Sequence, residues 1–170
     1  MKKLLLLLFA LLSSLCSDAQ TMKTYTDPGQ VFSIDYAEDW KVKEDKFGKS
    51  KMVSFEAPKT DEENGKGDAM LALSVQPLDR GIKNIDGVMK TQLGELKKQM
   101  GVKTFVENKR VNGRQILVFN MQGGKQVIKT KMILWVHNGM LYNMMYAAPV
   151  KHYANYQTVA ELMIASFKFL

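Results

Sequence analysis

Apolar residues recur at every second position over most of this chain and at every third or fourth position in two stretches, which separates strands from helices. The plainest strand grammar runs from Val127 to Ala148. Val-Ile-Lys-Thr-Lys-Met-Ile-Leu-Trp-Val-His enters Asn138-Gly139 and Met-Leu-Tyr-Asn-Met-Met-Tyr-Ala-Ala leaves it, so two β-rich segments meet at a dipeptide that accepts positive φ twice. A β-hairpin is predicted there. After Pro149 the period changes: Tyr153, Tyr156, Ala160, Met163, Ile164 and Phe167 give a last helix with one apolar face that must cover a sheet.

Upstream, residues 20–30 are polar and carry a Pro28-Gly29 turn, which reads as a lead-in. Phe32, Ile34 and Tyr36 alternate with polar residues, and Val42 continues the pattern after Ala37-Glu38-Asp39-Trp40, so two short strands are expected with Trp40 at the corner between them. Residues 52–55 give a third strand. Residues 59–68 hold four acids, two glycines and no large apolar side chain, which predicts an exposed loop. Met70 to Gln76 is another strand, ended by Pro77. From Asn84, a good N-cap, the positions Ile85, Val88, Met89, Leu93, Leu96 and Met100 mark one face of a first helix, with Gly101 as its left-handed stop.

From Lys103 onward a four-stranded meander is predicted, with two-residue turns at Asn112-Gly113, Gly123-Gly124 and Asn138-Gly139. These turns imply a register in which Trp135 pairs with Tyr142, Ile133 with Met144, Ile116 with Lys131, and Phe119 with Ile128. One sheet face then carries Val106, Leu117, Phe119, Met132, Leu134 and Leu141 as core. The other carries Trp135, Ile133, Tyr142, Met144 and Tyr146, grading into Glu107, Lys109, Lys129 and Lys131, and needs cover over only part of its area. The expected class is α+β: an antiparallel sheet with a C-terminal four-stranded meander, packed by two amphipathic helices.

Composition changes this picture in one respect. Lys2 and Lys3 precede the apolar run Leu4 to Leu12, followed by Ser-Asp-Ala before Gln20, which reads as a signal peptide over residues 1–19 and leaves one domain over 20–170. The nine-residue run is short against the ~20 residues that span a bilayer, so no transmembrane span is expected in the mature chain. Export makes the compartment periplasmic or extracellular. Cys16 is the only cysteine and lies inside this segment, so cleavage after Ala19 leaves no disulfide or thiol chemistry. Lipid anchoring through Cys16 is the alternative, and Leu15 in front of it, where a small residue is expected, speaks against it. Loss of the segment takes the formal charge from +7 to +6. The lysines are scattered and not interleaved with aromatics, so nucleic acid is not an expected partner.

Gly29-Gln-Val-Phe32-Ser-Ile34-Asp-Tyr36-Ala-Glu-Asp-Trp40, then Gly139-Met-Leu-Tyr142, Tyr153 and the closing Ala165-Ser166-Phe167-Lys-Phe169, resemble the PsbP-like or DcrB-like family. Ala37 stands where that family usually has proline. The resemblance implies an α/β/α sandwich and a non-enzymatic accessory or binding role, and it carries over no metal, cofactor or catalytic residue.

The residues themselves offer little catalytic chemistry. His137 and His152 are the only histidines, with no His-x-x-x-His or Cys-x-x-Cys spacing and no Gly-x-Ser-x-Gly elbow. Asp35, Glu38 and Asp39 fit exposed corner residues better than an acid/base pair. The glycine turns lie between strands, which does not suit a phosphate cradle. Asp61 to Asp68 lacks the ligand alternation of an EF-hand. Met132 and Met145 point to the opposite face from Met140 and Met144, so these thioethers do not converge on a copper ion and read as core filler. No cofactor is expected. The reading is a non-catalytic binding or accessory protein of the cell envelope, with Trp135, Tyr142 and Tyr146 as its contact surface and Lys129 and Lys131 at the edge. The alternative is a carrier that holds a lipid or small apolar ligand between sheet and helix. A hydrolase using His137 or His152 as base is the third.

Overall fold

The computed structural model describes residues 20–47, 49–59, 69–99, 102 and 105–170. Residues 1–19 with Cys16, the acidic stretch 60–68 and the expected helix stop at Gly101 lie outside these residues. In chain order the elements are β1 (Met22–Thr26), β2 (Phe32–Ala37), β3 (Lys41–Phe47), β4 (Ser50–Glu56), β5 (Met70–Pro77) and α1 (Ile85–Gln99). They continue with β6 (Phe105–Val111), β7 (Arg114–Gly123), β8 (Gln126–His137), β9 (Met140–Pro149), α2 (Val150–Ser166) and β10 (Lys168–Phe169). The strands form two antiparallel sheets, one of seven strands in the order β3-β4-β5-β9-β8-β7-β6 and one of three in the order β1-β2-β10. The class is α+β. Helix α1 packs on one face of the large sheet, and α2 with the small sheet covers the other. No helix among the described residues is long and apolar enough to cross a membrane.

Two early expectations change. Residues 22–26 are not a lead-in but strand β1, paired with β2 from Met22↔Ala37 to Thr26↔Ser33. Only Met22 and Tyr25 of β1 are part-buried, so its apolar signal is weak, and it exists as a strand because β2 offers it an edge. The strands on either side of Trp40 also part company: β2 joins the small sheet and β3 the large one. The Trp40 N–H donates to the Ala37 carbonyl at 2.9 Å, closing the corner, and the indole meets Tyr156 of α2 edge-on at 6.0 Å.

The meander follows the turn chemistry at two of its three turns. Asn112 and Gly113 have φ of 49° and 75°, Asn138 and Gly139 48° and 72°, the double positive φ of a type I′ hairpin. Trp135↔Tyr142 and Ile133↔Met144 pair as expected. The β7–β8 register does not: Ile116 faces Ile133 instead of Lys131, and Phe119 faces Thr130 instead of Ile128. Gly123 stays in the strand opposite Gln126, so the turn is Gly124-Lys125, with φ of 65° at Gly124. A Cβ at Gly123 would lie 2.5 Å from Cγ1 of Ile128, so the missing side chain makes room for Ile128. The register places Ile116 beside Ile133 and Met121 beside Ile128, and such apolar cross-strand pairs are favoured over Ile–Lys. A shift of two residues keeps every side chain on its face, which is why the face assignments survive.

Val106 is the exception. It sits at a bulge where the β6–β7 register slips between Phe105 and Glu107, and it is 69% exposed. Phe105 takes the expected place, packing edge-on against Phe119 at 5.7 Å.

Helix α1 starts at Asn84, whose side-chain oxygen accepts the Gly87 N–H at 3.0 Å. Ile85, Val88, Met89 and Leu96 are buried against Leu117, Phe119, Met132, Leu134 and Leu141. Asp86 in the first turn pairs with Arg110 of β6 at 2.7 Å, and the guanidinium holds that carboxyl below its ordinary pKa. Asn84→Ala is expected to cost about 1 kcal/mol and Asn84→Asp little, since aspartate also caps. Urea melts of the two variants check this, and equal midpoints would mean the cap contributes nothing.

Candidate interaction surface

Trp135, Tyr142 and Tyr146 lie on the α2 face of the large sheet, with Trp135 and Tyr142 as direct cross-strand partners. Their rings stack at 5.3 Å with 12° between planes, and Phe167, just after α2, closes edge-on over Trp135 at 5.2 Å. Tyr146 packs on Tyr153 at 4.7 Å and its hydroxyl donates to the Tyr153 carbonyl at 2.6 Å. The three rings are 5%, 2% and 0% exposed. This corrects the expectation of an exposed aromatic surface, because these rings are core. Burial pushes the Tyr146 phenol well up and that of Tyr153 up to about 12, the latter helped by the charges of Glu161 and Glu107.

The lysines of the same face line the edge of α2: Lys129 and Lys131 are half-buried beside it and Lys109 is exposed. Glu107, Val118, Lys131 and Tyr146 form one cross-strand row, and Lys109, Ile116, Ile133 and Met144 the next. Lys131 Nζ meets Glu161 of α2 at 3.1 Å. The Glu161 carboxylate also accepts from Gln157, and the two donors hold its pKa below the usual range. Lys109 is paired with Glu107. Lys129 and Arg114 have no carboxylate partner among the described residues. Instead, Lys129 Nζ lies 4.4 Å from the centroid of Tyr153, and the Arg114 guanidinium 5.0 Å from that of Trp135. The result is a cationic strip along α2 whose floor is Ile116 and Val118.

Arg114 was missed in the sequence. A turn at Gly123-Gly124 places it beside Ile133, and only the true turn brings it to Trp135, where the indole face reveals a role for it.

A second concave feature lies at the other flank of the sheet. A cleft of about 250 Å³ opens between the small sheet and strands β3 to β5, with Phe32, Val53, Leu73 and Val75 among its apolar lining. Tyr25 stands at it, its hydroxyl 3.0 Å from Glu44 Oε1, and burial raises its phenol pKa strongly. Asp27, also at the cleft, is 5% exposed. The expected space between the sheet and α2 is filled by Tyr146, Tyr153, Ala160 and Met163.

No family model matches the sequence, and no curated protein matches it. Solved structures do. The cyanobacterial PsbP protein CyanoP of Synechocystis sp. PCC 6803 aligns over 91% of this chain and 97% of its own at a TM-score of 0.62 and 11% identity. The fold is PsbP-like. LpqN, involved in cell envelope biogenesis of Mycobacterium tuberculosis, shares it over 89% of this chain and 92% of its own, at a TM-score of 0.53 and 13% identity. A Pseudomonas aeruginosa protein of unknown function, PA94, covers 84% of this chain and 93% of its own, at 0.57 and 10%. At such identities the likeness carries the PsbP-like fold alone.

Within the PsbP-like sandwich the histidines take separate structural places. His137, at the end of β8, stacks on Phe169 at 3.9 Å. His152 lies in the first turn of α2. Neither imidazole has a carboxylate or hydroxyl partner among the described residues. No group of three His, Cys, Asp or Glu gathers into a metal site among them, and the acidic stretch 61–68 lies outside. The hairpin methionines divide between the two cores, Met140 and Met144 on the α2 face and Met132 and Met145 on the α1 face.

Proposed function

We propose that the chain is an exported, non-catalytic accessory or binding protein of the cell envelope that meets an anionic partner along the strip beside α2. The observation that carries this reading is the pair of cations at Arg114 and Lys129, held only by ring faces and flanking an apolar floor at Ile116 and Val118. A cation resting on an aromatic ring gains about 0.5–1 kcal/mol at an exposed site, so a carboxylate or phosphate can recruit it at little cost. The leader-like residues 1–19 support export, and the PsbP-like fold shared with LpqN supports an envelope setting. A hydrolase has less support, because His137 is engaged with Phe169 and lacks an orienting partner. An apolar carrier between sheet and α2 also has less, because side chains occupy that interface.

The test is a crosslinking pull-down from envelope extract with wild type and with Lys129→Glu/Lys131→Glu. The wild type is expected to recover a partner that the double variant loses. The variant should stay folded with a slightly lowered urea midpoint, since it loses the ~0–1 kcal/mol of the Lys131–Glu161 pair and sets a second carboxylate near Glu161. Equal recovery by the two proteins would remove the strip from consideration.

A further inference from the structure

The cleft at the β3–β5 flank carries charges that the protein itself leaves incomplete. Asp27 Oδ2 accepts the Gly29 N–H at 2.9 Å and the Val31 N–H at 3.4 Å, which fixes the turn after β1. Its other oxygen makes no hydrogen bond among the described residues and keeps access to the cleft, although the residue as a whole is only 5% exposed. A buried carboxylate is costly unless a cation or donors complete it. Lys51 Nζ lies 3.6 Å from where a Gly29 Cβ would be, so it is near, yet it makes no ion pair with Asp27.

Two exposed lysines stand beside it. Lys46 and Lys51 are direct cross-strand partners on β3 and β4, and both line the cleft. Like charges placed opposite each other destabilise a strand pair. Neither ammonium has a carboxylate partner among the described residues. One row further along, Glu44 faces Val53, which faces Leu73. The carboxylates of Asp27, Glu44 and Asp45, the ammonium groups of Lys46 and Lys51, and an apolar floor thus share one opening. At about 250 Å³ it is smaller than the ~300–1,000 Å³ of pockets that take drug-sized ligands.

We propose that this cleft binds a small zwitterion of amino-acid size, its ammonium toward Asp27 and Glu44, its carboxylate toward Lys46 and Lys51, and an apolar side chain on Phe32, Val53 and Leu73. The site is independent of the strip beside α2, which lies at the other end of the seven-strand order.

The experiment is an NMR titration of the full-length protein with L-leucine, with L-leucinamide, which lacks the carboxylate, and with 4-methylpentanoate, which lacks the ammonium. L-leucine is expected to shift the amide signals of Val53, Leu73 and Val75 saturably. Each half-ligand should bind at least about tenfold more weakly, which is about 1.4 kcal/mol. Asp27→Asn keeps an oxygen for the Gly29 N–H and should weaken L-leucine by about the same factor while leaving 4-methylpentanoate unchanged. If that variant does not fold, Glu44→Gln, which keeps an acceptor for Tyr25, takes its place. Lys51→Gln should weaken L-leucine and 4-methylpentanoate but not leucinamide. Half-ligands that bind as well as L-leucine would overturn the proposal. So would an absence of saturable shifts up to about 10 mM, which bounds the affinity below roughly 3 kcal/mol.

Discussion

Trp135→Ala is expected to destabilise the protein by about 3–5 kcal/mol, the range for deleting a buried aromatic ring. Against a total of roughly 5–15 kcal/mol for a folded domain, that is a large share. The indole is sandwiched between Tyr142, stacked below it, and Phe167, set edge-on, so its loss leaves a cavity between sheet and α2 that neither ring can fill alone. Its Nε1–H is buried and has no acceptor among the described residues. Trp135→Phe therefore removes an unsatisfied donor, whose burial costs about 1–3 kcal/mol, and should lose less than half of what alanine loses. Urea unfolding of both variants decides it. A Trp135→Ala midpoint equal to wild type would mean that the ring serves some surface role after all.

Trp40→Ala is expected to cost a similar ~3–5 kcal/mol for a different reason. Trp40 is 3% exposed and stands where the chain leaves the small sheet for the large one, with its ring against Tyr156 of α2. Removing it loosens the joint between the two sheets as well as emptying volume. Trp40→Phe should recover part of the loss. The measurement is again the urea midpoint, now with the slope: a wild-type midpoint in Trp40→Ala would show that the corner is not part of the core, while a changed slope would point to altered compactness.

Much of the fold was legible because it rests on local rules. The Asn-Gly turns at 112–113 and 138–139 carry their own backbone requirement, the Asn84 cap announces α1, and the alternation through β8 and β9 assigns Trp135, Ile133, Tyr142 and Met144 to one face. What failed involved a choice between near-equal local options. Gly123-Gly124 and Gly124-Lys125 both make tight turns, and the decision came from side chains far along the strands, where Ile116 meets Ile133. Val106 has the apolar character of a core residue, but the bulge beside it gives its place to Phe105.

The candidate site was less legible, because exposure is a property of what covers a residue. The sequence by itself determined the strand and helix periods, the α+β class and the side of the sheet on which Lys129 and Lys131 stand, since these follow from backbone chemistry and the two-residue period. Only the tertiary structure decided that Trp135, Tyr142 and Tyr146 are core. Their cover is assembled from β1, β2, β10 and α2, segments from both ends of the chain. The same long-range packing put Arg114 over Trp135 and brought Lys51 to the Asp27–Gly29 turn at the cleft. Local pattern specifies which way a side chain points, and contacts between residues far apart in sequence specify what it meets there.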